Sequence, residues 1–159
     1  MDPVSRRLLK EWTDIQRDKN KNADILSLAP VDDDNLLAWR SVVRGPAGTG
    51  YEGGQFTLDI VVPTQYPIQP PEVKFSTTIC HPNINFITGE ICLDLLKTAW
   101  SPAWTLYSTV VAILLLLQAP EPSSPLNVDA ANILRAGDME GYTSLVRMYT
   151  LLLANKRST

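Results

Sequence analysis

The stretch 81–104, HPNINFITGEICLDLLKTAWSPAW, constrains this chain more than any other, because neither a helical nor a strand period fits it. Pro82, Gly89 and Pro102 interrupt any long regular element, while Asn83, Asn85 and Thr88 offer side-chain hydrogen bonds to nearby backbone. The pattern predicts a long ordered loop, which compact chains carry mainly for function. Reactive residues gather here: the only histidine, His81; one of two cysteines, Cys92; and two of four tryptophans, Trp100 and Trp104. A loop thiol becomes a nucleophile when it is exposed enough to ionise and its surroundings stabilise the thiolate or the following oxyanion. Cys92 has Ile91 and Leu93 beside it, Asp94 two residues on, and no basic residue before Lys97. That argues against a strongly activated thiolate of the cysteine-protease kind, which needs a histidine base at hydrogen-bond range. The pattern suits a thiol whose partner arrives already activated.

The flanking sequence predicts how this loop is mounted. Val4, Leu8, Trp12 and Ile15 form one stripe of an amphipathic helix over 3–19, with Pro3 in its first turn. Two apolar runs, 25–31 and 36–44, are separated by the polar turn Asp32-Asp33-Asp34-Asn35, and Leu37, Trp39, Ser41 and Val43 share a face of the second. From 55 to 62, Phe56, Leu58, Ile60 and Val62 alternate with outward residues as in a half-buried strand. Pro63, Pro67, Pro70 and Pro71 make 63–71 an extended connector with Ile68 exposed, and Glu72–Phe75 reads as a fourth strand. Beyond the loop, Thr105 caps a helix over 106–118 that is apolar nearly all round and is expected to be buried centrally. The proline-rich run 119–125 stops it. Asn127 and Asp138 cap two more helices, the second over 139–154 with Leu145, Met148, Tyr149 and Leu152 as its expected core stripe. The sum is an α+β domain: helix, four-stranded antiparallel meander, central buried helix, two C-terminal helices.

Composition removes several functional classes. A net charge of −3 disfavours nucleic-acid binding, although residues 1–22 hold six Lys or Arg against four acids and could meet an acidic protein partner. Two cysteines and one histidine make neither a disulfide framework nor a four-ligand zinc site, so no metal and no cofactor are expected. The longest apolar run, Val110 to Leu117, is too short to cross a bilayer, and charges replace a signal sequence near residue 1, so a cytoplasmic protein is expected.

The runs His81-Pro82-Asn83, Gly89-Glu90-Ile91-Cys92-Leu93-Asp94 and Trp100-Ser101-Pro102-Ala103-Trp104 resemble the catalytic core of the ubiquitin-conjugating enzymes. Trp39, Gly45-Pro46, Tyr51-Glu52-Gly53-Gly54, Phe56, Tyr66-Pro67 and Pro70-Pro71 extend the likeness in unbroken order over nearly the whole chain. The resemblance implies one catalytic domain over 1–159, with Cys92 accepting the ubiquitin C-terminal carbonyl from the activating enzyme as a thioester and passing it to an acceptor. It implies that Asn83 donates to the oxyanion, braces the loop, or does both, the mixed role being favoured here; that His81 and Pro82 orient the loop; and that Ser124 stands at a gate near the cysteine. Asp94 is expected to cap the turn after Cys92, and no general base is assigned. For the RING-type ligase the resemblance implies Arg6, Arg7, Lys10, Ile68, Pro102 and Ala103, the same helix face serving the activating enzyme, so that the two engagements exclude each other. Cys80 departs from the family pattern, where an aromatic is common, and raises the question of oxidation against Cys92. A non-catalytic ubiquitin-binding variant would lack the cysteine, which is present.

Two further features resemble the peroxisomal, peroxin-group members of that family: an Asn83-to-Cys92 interval one residue longer than common, and the segments Ser124-Pro125-Leu126-Asn127, Asn132 to Met139 and Arg147-Met148-Tyr149-Thr150. That likeness implies a peripheral enzyme on the cytosolic face of the peroxisome, held by a membrane-anchored peroxin and acting on the import receptor for its recycling. The alternatives are a general cytosolic ubiquitin-conjugating enzyme and a carrier of a ubiquitin-like modifier.

Overall fold

A computed structural model describes residues 1–155. In chain order the elements are α1 (Pro3–Arg17), β1 (Ile25–Asp32), β2 (Asn35–Arg44), β3 (Gln55–Val61), β4 (Glu72–Phe75), a 3-10 turn (Asp94–Leu96), α2 (Leu106–Gln118), α3 (Val128–Arg135) and α4 (Met139–Leu153). The α+β class and the element order agree with the sequence expectation.

Local chemistry sets the boundaries. Asp2 caps α1 by accepting from the Ser5 N–H at 2.8 Å, and Pro3 fills the first turn, where its missing N–H is no loss. Val4, Leu8 and Ile15 are buried along one stripe, with Trp12 edge-on to Trp39 of β2 at 5.8 Å between centroids. The sheet is an antiparallel meander in the order β1-β2-β3-β4, with Trp39 opposite Pro30 on one side and Ile60 on the other. Alternation puts Trp39, Ser41 and Val43 of β2 and Phe56, Leu58 and Ile60 of β3 on the core face. Ser41 stays satisfied there by donating its hydroxyl to Ser27 O at 2.8 Å.

α2 crosses the core behind the sheet. Thr105 and Ser108 form a reciprocal capping box at its start, and Leu106, Val110, Ile113, Leu114 and Leu117 are buried. The helix is not buried all round: Leu115 is 58% exposed. The expected stripe of α4 is also corrected. Tyr142, Val146 and Thr150 face the core, and Leu145 and Tyr149 pack at its margin, while Met148 and Leu152 are exposed. Thr150 conceals the true stripe in the sequence; its hydroxyl donates to Val146 O at 2.8 Å, so it enters the core without an unpaired polar group.

Candidate active site

The segment 81–92 folds back on itself as a narrow ladder. Isolated bridges join His81 to Ile84 and Ile84 to Ile91; the Asn85 N–H donates to Glu90 O at 2.9 Å and the Cys92 N–H donates to Asn83 O at 2.8 Å. Ile84 and Ile91 are buried, and Cys92, next along, is partly exposed. The tip is tied by Asn85, whose Oδ1 accepts from the Ile87 and Thr88 N–H groups, both at 2.9 Å. Gly89 returns the chain at φ +73°, pressed so closely on β4 that a Cβ would stand 1.9 Å from Phe75 O. The Phe75 N–H donates to Gly89 O at 3.0 Å. Phe86, between Asn83 and Cys92, packs edge-on to Tyr149 of α4 at 5.2 Å. The cysteine therefore sits on backbone fixed to β4 on one side and to α4 on the other.

His81 is fully buried. Its Nδ1 accepts from the Asn83 N–H at 3.0 Å, which sets the tautomer and leaves Nε2–H to donate to Leu116 O near the end of α2 at 2.8 Å. Burial pushes the imidazole down to about 4, so it is neutral near pH 7 with both nitrogens occupied. Asn83 is 1% exposed, and its amide is turned on the segment after α2. Nδ2 donates to Glu121 O at 2.6 Å and Ser124 O at 3.2 Å, and Oδ1 accepts from the Glu121 N–H at 2.8 Å. The bracing half of the expected dual role has its bonds in place, whereas both amide hydrogens are engaged and none is left for an oxyanion. The Pro82 carbonyl adds to the clamp by accepting from the Leu126 and Asn127 N–H groups at 2.8 and 3.1 Å.

Ser124 is exposed and is held through its carbonyl, which accepts from Asn83 Nδ2. Asp94 requires a correction. It tightens the turn after Cys92 through its backbone carbonyl, which accepts from the Lys97 and Ala99 N–H groups at 2.9 Å, because it lies inside that turn; its carboxylate makes no cap bond. Cys80 is 3% exposed, and burial, aided by the Asp129 charge, pushes its thiol up to about 11, leaving it a far poorer nucleophile at neutral pH. The described residues hold no group of His, Cys, Asp or Glu suited to a metal ion.

The residues expected to meet partners lie on three neighbouring segments: Arg6 and Lys10 exposed on α1, Ile68 at 74% exposure on the connector, and Pro102 and Ala103 exposed on the loop before α2. Arg7 is corrected. Its guanidinium is directed inward, with Nε donating to Glu11 at 2.8 Å and Nη2 to Pro102 O and Trp104 O at 3.0 and 2.8 Å, beneath a cation–π contact with Tyr66. Arg7 therefore joins two of these segments instead of presenting a free charge. Sequence reasoning missed Glu11, 5% exposed, although the signal was there: it is three residues after Leu8 and four before Ile15, inside the apolar stripe.

A family described as ubiquitin-conjugating enzyme matches residues 7–150. Protein PEROXIN-4 of Arabidopsis thaliana is 53% identical over 148 residues, covering 93% of this chain and 93% of that protein. The ubiquitin-conjugating enzyme E2 pex4 of Dictyostelium discoideum is 53% identical over 149 residues, covering 94% and 98%. Among solved structures, the H. polymorpha ubiquitin-conjugating enzyme Pex4p, in complex with the soluble domain of Pex22p, superposes with a TM-score of 0.91 at 37% identity, over 98% of this chain and 100% of that one.

Proposed function

This chain belongs to the ubiquitin-conjugating enzyme family, transferases that act through a thioester intermediate, and we propose that Cys92 is the sulfur that carries the ubiquitin. One observation carries the assignment: of the two cysteines, Cys92 alone is partly exposed, on a loop fixed by His81 and Asn83, whereas Cys80 is buried.

The Cys92 thiolate attacks the thioester carbonyl of ubiquitin's C-terminal glycine on the activating enzyme. A C–S bond forms as the original C–S bond breaks, and the departing thiolate regains from solvent a proton matching the one Cys92 gave up on ionising. In the second step an acceptor nucleophile, having lost its proton to solvent, attacks the same carbonyl and Cys92 leaves as the thiolate. Buried neutral His81 gives the protein no base there, and Asn83 acts by fixing the 121–124 turn against the loop. Ser124 stands at the acceptor's approach, Pro82 braces the loop through its carbonyl, and Arg6, Lys10, Ile68, Pro102 and Ala103 form the surface for the activating enzyme and a RING-type ligase.

The finer reading is peroxisomal. Relatives named as peroxins at 53% identity, and the resemblance to an enzyme solved with Pex22p, support a role on the cytosolic face of the peroxisome. Among the described residues no helix is long and apolar enough to cross a membrane, so residence there would rest on an anchored partner. The import receptor is the proposed substrate. A cysteine acceptor on it would suit a site without a base, since a thiol ionises far more readily than an amine.

Incubation with activating enzyme, ATP and ubiquitin is expected to give an adduct one ubiquitin heavier that thiol reductant removes. Cys92→Ala should abolish it and Cys92→Ser should leave a reductant-resistant ester; an adduct surviving Cys92→Ala would refute the assignment. Recovery of a membrane-anchored peroxin from a membrane fraction tests the peroxisomal reading, and recovery of cytosolic ligases alone would overturn it.

A further inference from the structure

We propose that Glu11 is a positioning residue for partner engagement: its buried carboxylate holds in register the three segments that form the proposed docking surface. The inference rests on the function proposed above. A carboxylate at 5% exposure is strongly disfavoured unless its oxygens are hydrogen-bonded, and here both are. Oε2 accepts from Arg7 Nε at 2.8 Å on α1 and from the Tyr66 hydroxyl at 2.7 Å on the connector. Oε1 accepts from the Leu106 N–H at 2.7 Å, the first residue of α2, where the helix dipole also favours an anion. One bond stays on α1, which carries Arg6 and Lys10; one reaches the connector, which carries Ile68; and one reaches the start of α2, just after Pro102 and Ala103.

The surrounding contacts lock the same junction. Arg7 continues to Pro102 O and Trp104 O, and the Trp100 indole N–H donates to Pro67 O at 2.8 Å while its ring packs on Tyr66 at 5.9 Å. Ile68 follows Pro67 directly, and Ala103 lies between the two carbonyls that Arg7 holds. Apolar packing alone permits these segments to slide; directional bonds to one shared charge do not. None of the groups bonded to Glu11 belongs to residues 81–94, so its influence falls on engagement and not on the chemistry of the sulfur.

Glu11→Gln keeps the shape but places an amide NH2 among three donors, and Tyr66→Phe removes one of the bonds while keeping the ring. Loading by ubiquitin-charged activating enzyme is measured against concentration of each variant, with discharge of the purified thioester to free cysteine measured separately. Glu11→Gln is expected to raise KM for loading on the order of tenfold, Tyr66→Phe less, with kcat and discharge to free cysteine unchanged. Unchanged KM in both variants overturns the proposal, as does a fall in discharge parallel to the loss in loading, which would mean a general loss of structure. Failure of the unsubstituted protein to load would instead overturn the function on which the proposal rests.

Discussion

Replacing Asn83 separates two accounts of what its amide does. In the structure the side chain is almost wholly buried and makes three hydrogen bonds to residues 121–124, two of them to the N–H and C=O of Glu121. Asn83→Ala removes all three and leaves the backbone of Glu121 and Ser124 without the partner that Asn83 supplies. At about 1 kcal/mol per bond, the three bonds together are worth about 3 kcal/mol. For a chain of this size that lowers Tm on the order of 10 °C. Asn83→Asp sharpens the test. Its carboxylate oxygen would replace the donor facing Glu121 O and Ser124 O, so the folded protein favours the protonated acid and raises its pKa above the unfolded value near 3.9. The variant's stability is then greatest below that unfolded value and is lost as pH rises through the raised folded value. Thermal melts of both variants at pH 7 and pH 5, each paired with single-turnover discharge of the thioester, provide the assay. Both should load, discharge slowly and melt earlier than the parent, and the deficit of Asn83→Asp relative to the parent at the same pH should shrink from pH 7 to pH 5. Slow discharge with Tm within about 2 °C of the parent would refute the bracing account and return the amide to the oxyanion.

Two further predictions concern the same loop. His81 is held near 4 by burial against about 6.5 unfolded, so the stability linked to it is full above pH 6.5 and is lost as pH falls toward 4, by roughly 3 kcal/mol in all; urea titrations across that range should show this slope, and His81→Gln, which does not titrate, should lose that part of it. Gly89→Ala should cost more than about 2 kcal/mol, because positive φ is compounded by a carbonyl in contact, whereas Gly53→Ala, at φ +88° with open space around it, should cost about 1 kcal/mol; equal losses in denaturant melts would refute the argument from close approach.

The elements were legible where local rules decide them. Thr105 and Ser108 sit at the spacing of a capping box, and Phe56, Leu58 and Ile60 alternate without interruption, so α2 and β3 could be placed from their own residues. α4 misled because its polar core residue, Thr150, reads as surface while the exposed Met148 and Leu152 read as core. Apolarity alone does not tell which flank of a helix its neighbours will cover. At the site, Cys92 and Asn83 stood out by residue type and company. The amide's partners, 38 and 41 positions later, were invisible, since nothing in Glu121 or Ser124 announces that their backbone will be the receiving side. Arg7 was misjudged for the same reason: a long basic side chain on a helix looks solvated until the carbonyls of Pro102 and Trp104, 95 and 97 residues away, are folded beneath it.

α2 is pinned at both extremities, by Glu11 at the Leu106 amide and by His81 at the Leu116 carbonyl. Its length is thereby a fixed gauge between the place where other proteins arrive and the place where sulfur reacts. One residue added between the pins would push them about 1.5 Å apart and turn one against the other by about 100°, and no side chain could span the mismatch. A turn has no such gauge to keep, and the tip between Asn83 and Cys92, tied by Asn85, is one place where the chain has that freedom of length.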